Sequence, residues 1–151
     1  MTTIGEICNR QVIVAPPDTT ISAAARLMRH HHVGSILVVD ATGSGPRTPL
    51  GLVTDRDIVV EVTAMDLDPK VLTLGDIMAH DLVTARDREG VLETMEIMRY
   101  KGVRRMPVVN ETGQLLGIVT IDDLLEILSE ELAELTKIVA REQVHEAAAR
   151  V

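Results

Sequence analysis

Apolar positions recur along this chain with two different periods. Ile4 and Ile7 share one face of a helical turn over Thr3 to Cys8, and Gln11 to Ala15 alternates and β-branches like a brief strand that Pro16-Pro17 ends. Helical spacing follows at Ile21, Ala24, Ala25, Leu27 and Met28, with Arg26 and Arg29 outward and Asp18, Thr19 and Thr20 as candidate caps. Ser35-Ile-Leu-Val-Val39 is continuously apolar, the pattern of a strand buried on both faces. Asp40 to Pro49 reads as a loop rich in Gly and Pro, Leu50 to Thr54 as a second strand, and Ile58, Val59 and Val62 as a short helix. Thr63 to Val71, with Asp66, Asp68 and Pro69, reads as a connector.

The order of elements then begins again. At an offset of 70 residues, Ile7, Ala15, Met28, Arg29, Val33, Val38, Val39, Thr42 and Gly43 return as Ile77, Ala85, Met98, Arg99, Val103, Val108, Val109, Thr112 and Gly113. From the strand after the loop the offset is 66: Leu50, Gly51, Val53, Thr54 and Asp57 return as Leu116, Gly117, Val119, Thr120 and Asp123. The four-residue difference falls in the loop, where insertion costs least. The chain is therefore a tandem duplication of short helix, strand, helix, strand, strand, helix.

Each copy carries one heptapeptide, Gly51-Leu-Val-Thr54-Asp-Arg-Asp57 and Gly117-Ile-Val-Thr120-Ile-Asp-Asp123. A hydroxyl at a helix N-cap and a carboxylate in the first turn flank free backbone N–H groups, which attract anions. A phosphate near the Thr and a ribose diol on the Asp fit this spacing, because an ionised carboxylate accepts from both hydroxyls. Thr-x-x-Asp also suits a capping box, in which the two side chains satisfy each other's backbone donors. Recurrence of the motif, in register within a larger repeat, favours the ligand reading.

The two Gly-x-x-Thr-x-x-Asp segments, the Met-Pro-Val-Val109 strand and the short helix before each unit, as in Leu74-Gly-Asp-Ile-Met78, resemble a tandem pair of cystathionine-β-synthase-type (CBS) domains, a Bateman module. The resemblance runs to about Leu128. It implies an α/β fold of two β-α-β-β-α units packed about a pseudo-twofold axis, with domains over 1–65 and 66–128. It also implies clefts for adenosine nucleotides or related adenosyl ligands, and modules that pair into a disc and regulate other proteins. By the same resemblance, Thr54 and Thr120 are phosphate-side hydroxyls, Asp57 and Asp123 ribose-binding carboxylates, and Val14-Ala15 and Val83-Thr84-Ala85 the adenine-side walls. The copies differ in charge: the first has Arg56 in its motif and Gly34-Ser35 at the buried strand's start, the second Asp122 in its motif and Arg104-Arg105 at that start. Each cleft can thus obtain a guanidinium, the planar donor suited to phosphate.

Composition narrows the function classes. A formal charge of −8 over 151 residues disfavours nucleic acid and anionic membrane as partners. With no Phe or Trp and only Tyr100, the core must be aliphatic, with Met28, Met95, Met98 and Met106 as adaptable filler. Lone Cys8 permits no intrachain disulfide and, with no membrane-length apolar run, points to the cytoplasm. His30-His31-His32 project about 100° apart on a helix and make a poor joint metal site; they suit a helix C-terminus, with His32 as a candidate base or phosphate contact. No metal and no required cofactor are expected, and no activated nucleophile or metal-spaced carboxylate pair suggests an enzyme. Beyond the second motif, Leu124, Leu128, Leu132, Leu135 and Val139 form a seam near heptad spacing. It predicts a C-terminal helical extension over 129–151, helical to about His145 and frayed from Ala147, packing on its own module or on a partner subunit. The expected function is a regulatory module sensing an adenosyl ligand through a homodimer, with an unidentified downstream protein. A ligand-independent dimeric scaffold is the alternative.

Overall fold

A computed structural model describes residues 2–40 and 47–150. The expected loop over 40–49, including Thr42 and Gly43, and the end of the tail at Val151 lie largely outside the described residues. The chain divides into two compact units, one ending at Val119 and one beginning at Thr120.

The first unit runs α1 (Ile4–Ile7), β1 (Val14–Ala15), α2 (Ile21–His31), β2 (Ser35–Asp40), β3 (Thr48–Thr54), α3 (Asp55–Ile58) and a π-helical turn (Val59–Thr63). The repeat follows as α4 (Leu74–Ile77), β4 (Ala85–Arg86), α5 (Val91–Lys101), β5 (Arg105–Val109) and β6 (Leu115–Thr120). Two three-stranded sheets result, ordered β1-β2-β3 and β4-β5-β6. In the first, β1 is parallel to β2 and β2 antiparallel to β3, with Ser35 opposite Thr54 and a bulge between Val38 and Val39. In the second, Ala85 pairs with Val108 just as Ala15 pairs with Val38. Ile36 to Val39 are all buried, as their continuous apolar run requires.

Thr20 caps α2 by accepting from the Ala23 N–H at 3.2 Å. The two long helices end alike in left-handed residues, His32 at φ 53° and Gly102 at φ 66°. The histidine run thus does close its helix, with His30 and His31 in an edge-to-face contact. Thr94, at the position of Ala24, is fully buried, and its hydroxyl donates to the Gly90 carbonyl at 2.9 Å. Met28, Met98 and Met106 are buried, while Met95 is half-buried.

The short helices are exchanged between the repeats. Ile4 and Gly5 donate to the carbonyls of Glu89 and Asp87 at 2.8 and 2.9 Å, and Leu74 and Gly75 donate to those of Thr19 and Pro17, both at 2.9 Å. Each residue of the second set lies 70 positions after its counterpart, or the reverse, so the contacts interchange as a pseudo-twofold axis demands. Leu74 is accordingly part of the first repeat's core, with Ala15, Ile21, Ala24, Met28, Ile36, Val38, Val53 and Val62. Space is short where the helices seat: a Cβ on Gly5 would lie 2.8 Å from Asp87, too close without a shift of the backbone there, and one on Gly75 would make a tight 3.2 Å contact with Pro17.

The second unit is α6 (Ile121–Ala149), 29 residues of unbroken helix. It continues beyond His145, because Ala147 to Ala149 are strong helix formers. Leu124 is buried, whereas the rest of the apolar seam is exposed. No helix among the described residues is long and apolar enough to cross a membrane.

Candidate functional site

Strand β3 delivers Thr54 in extended conformation, and α3 starts at the next residue. The Thr54 hydroxyl oxygen accepts from the Asp57 N–H at 3.1 Å, and Asp57 Oδ2 accepts from the Thr54 N–H at 2.8 Å. Thr120 and Asp123 repeat this box at the start of α6, at 3.2 and 2.9 Å. The capping reading is therefore realised in both motifs. It does not exhaust either side chain: the threonine hydroxyl proton remains to donate, and the second carboxylate oxygen remains to accept.

Beside the first box lies a cleft of about 290 Å³ lined by Leu52, Thr54, Asp57, Ala79, Asp81, Leu82, Val83, Lys101, Val103 and Arg105. One side comes from β3 and α3 of the first repeat; the other comes from the segment before β4, the end of α5 and the start of β5 in the second. Apolar side chains form much of the wall, and the charged groups are two carboxylates and two cations. An apolar slot with a few placed polar groups is the form of a small-molecule site. Chemically, the apolar wall at Leu82, Val83 and Val103 can take a flat ring, the Asp57 carboxylate can accept from hydroxyls, and Arg105 and Lys101 can pair with an anion.

The structure joins some sequence-chosen residues and separates others. Thr54, Asp57 and Arg105 share the cleft. Grouping by copy would assign Arg105 to the Thr120 motif, but the crossed arrangement of the repeats sets it beside the first. Arg56 and Arg104 are exposed and do not line this cleft. Val14 is half-buried, and Ala15 and Ala85 are buried in strand pairs. Of the expected wall segment Val83-Thr84-Ala85, Val83 lines the cleft, whereas Thr84 is exposed. His32 is exposed at its helix end. Lys101, Asp81 and Leu82 were not singled out by sequence; the signal for them was the internal symmetry, read across the copies instead of within each. Among the described residues no three His, Cys, Asp or Glu side chains gather as a metal site requires.

Two crossed repeats, each closing on a Gly-x-x-Thr-x-x-Asp turn, are matched by the CBS domain sequence profile over residues 4–64 and 74–130. The chain belongs to the CBS domain family. An uncharacterized protein of Methanopyrus kandleri is 34% identical over 125 residues, 83% of this chain and 62% of that protein. Hypoxic response protein 1 of Mycobacterium tuberculosis is 36% identical over 80 residues, 53% of this chain and 55% of its own length. The chain thus spans between about half and two thirds of these two relatives. Among solved structures, a hypoxic response protein with two coordinated zinc ions superimposes with a TM-score of 0.71 at 33% identity, covering 83% of this chain and 98% of the other. A CBS domain pair in complex with 5′-methylthioadenosine and S-adenosyl-L-methionine gives a TM-score of 0.72 at 25% identity, covering 87% and 98%.

Proposed function

We propose that this CBS pair binds an adenosine nucleotide or a related adenosyl ligand in the Thr54–Asp57 cleft and reports occupancy through a homodimer in the cytoplasm. One observation carries the reading: Thr54, Asp57, Lys101 and Arg105 converge on one apolar-walled cleft. The adenosyl complex of a structurally similar CBS pair supports the ligand class. Asp57 Oδ1 takes the ribose hydroxyls, the Thr54 hydroxyl and Arg105 hold the charged substituent, and Leu82 and Val83 pack on the base. Binding regulates by favouring one arrangement of the repeats over another, which requires affinity to differ between the arrangements. The corresponding roles of Thr120 and Asp123 belong to the same proposal, as does the absence of catalysis.

Calorimetric titration with AMP, ATP, S-adenosylmethionine and 5′-methylthioadenosine tests this. Asp57→Asn keeps an oxygen for the cap but removes the charge, and is expected to weaken all four ligands roughly tenfold or more. Arg105→Ala is expected to weaken AMP and ATP by a similar factor and to leave uncharged methylthioadenosine within about twofold. Absence of binding by any of the four, at millimolar concentration, would overturn the reading in favour of the ligand-independent scaffold. The exposed apolar seam of α6 is the observation favouring that second reading.

A further inference from the structure

The face of α6 formed by Ile121, Leu125, Leu128, Leu132, Leu135 and Val139 is spaced four, three, four, three and four residues apart, the a/d repeat of a two-stranded coil. The seam is about 27 Å long at roughly 1.5 Å per residue. All six side chains are exposed: Leu125, Leu132, Leu135 and Val139 are 57%, 63%, 58% and 54% exposed, and Ile121 and Leu128 are each 37% exposed. A contiguous apolar stripe of this kind on a charged helix marks an interaction surface.

Charge selects the occupant. Between residues 122 and 134 the helix carries six carboxylates and no Lys or Arg; between 135 and 150 it carries Lys137, Arg141 and Arg150 against Glu142 and Glu146. The helix dipole accounts for acids in the first turn, Asp122 and Asp123, but its effect fades before Glu126, Glu130, Glu131 and Glu134. An anionic lipid surface is repelled by the acidic half. A parallel copy would set six carboxylates beside six. An antiparallel copy centred between Leu132 and Leu135 sets the acidic half of each helix against the net-basic half of the other, with Glu126 and Glu130 across from Arg141 and Lys137; Leu128, Leu132, Leu135 and Val139 meet across the seam, and Ile121 and Leu125 at its ends lie across from Glu146 and Glu142.

We propose that α6 pairs with α6 of a second copy in antiparallel orientation, with Leu132 of one copy beside Leu135 of the other and Leu128 beside Val139. This rests on the homodimer in the reading above and not on the cleft, so loss of nucleotide binding leaves it standing. Sedimentation velocity of the full chain is expected to show a dimer. The Leu132→Glu/Leu135→Glu variant is expected to dissociate roughly 100-fold more readily, since carboxylates would be desolvated against leucine. Leu92→Glu, at an exposed site on α5, is expected to dimerise normally. Because the substituted leucines are exposed, circular dichroism should show the helix intact. Spin labels at Ala148→Cys in a Cys8→Ala background report orientation: antiparallel pairing separates them by about 44 Å, again at roughly 1.5 Å per residue from the seam's centre. A monomeric wild type overturns the proposal together with the homodimer; a double variant that stays dimeric overturns the seam alone; labels within about 15 Å, near the separation of two packed helices, overturn the orientation.

Discussion

At Asn9 and Ile118 the edge between the repeats is closed by reciprocal backbone hydrogen bonds, both 2.9 Å; at their counterparts, Ala79 and Leu52, none is formed among the described residues, and both line the cleft. The two edges descend from one duplicated unit, yet only one is stitched shut. The neighbouring glycines register the same difference. A Cβ on Gly117 would lie 2.6 Å from the Asn9 carbonyl oxygen and 2.8 Å from Cys8 Sγ, whereas the nearest atoms to one on Gly51 belong to the Met78 side chain, Sδ at 2.7 Å and Cβ and Cγ at 3.1 Å. Divergence between the halves thus lies as much in how closely the backbones approach as in which side chains carry charge.

The exchanged helices are what both edges share, and disturbing them should have the largest effect. Ile4 and Leu74 are fully buried, so Ile4→Ala and Leu74→Ala are each expected to cost about 2–5 kcal/mol in urea unfolding. Similar losses from both would show that each short helix completes the other repeat's core; a small loss from either would break the symmetry of the exchange. The glycines come next. Gly117→Ala is expected to cost about 2–3 kcal/mol, as a closed backbone edge cannot yield, and Gly51→Ala about 1 kcal/mol as Met78 turns aside. Equal costs would mean that the edges are equally rigid.

That two equivalent halves exist was legible from paired positions alone: the offsets of 70 and 66 residues located both motifs and both buried strands. Which half each short helix joins was not legible. Ile4 and Ile7 announce an apolar face, but a local pattern does not name the surface that covers it. The same blindness grouped Arg105 with the motif of its own copy, and left Lys101 and Asp81 unremarked. Thr54 and Asp57 were found because helix capping and ligand binding call on the same spacing. The unbroken helix to Ala149 was underestimated at its end because alanines carry no amphipathic signal to follow.

Smaller effects refine the contrast. Thr54→Ala and Thr120→Ala each remove one cap and are expected to cost about 1 kcal/mol in thermal unfolding. Loss of nucleotide affinity in the first, alongside equal destabilisation, would separate the cleft role of Thr54 from its cap. The smallest effect is a gain. His32 holds the left-handed conformation that Gly102 holds in the second copy, so His32→Gly is expected to raise stability by about 0.5–1 kcal/mol in the same melts. A neutral or destabilising result would show that the imidazole contributes where it stands.

The exchange of α1 and α4 also bears on how the protein can be taken apart. Because each half holds the piece that finishes its neighbour, a chain severed within Ala64 to Leu67 would yield two fragments that are incomplete alone and complementary together. Fused to two separate proteins, those fragments would act as a reporter whose reassembly signals that their carriers have met.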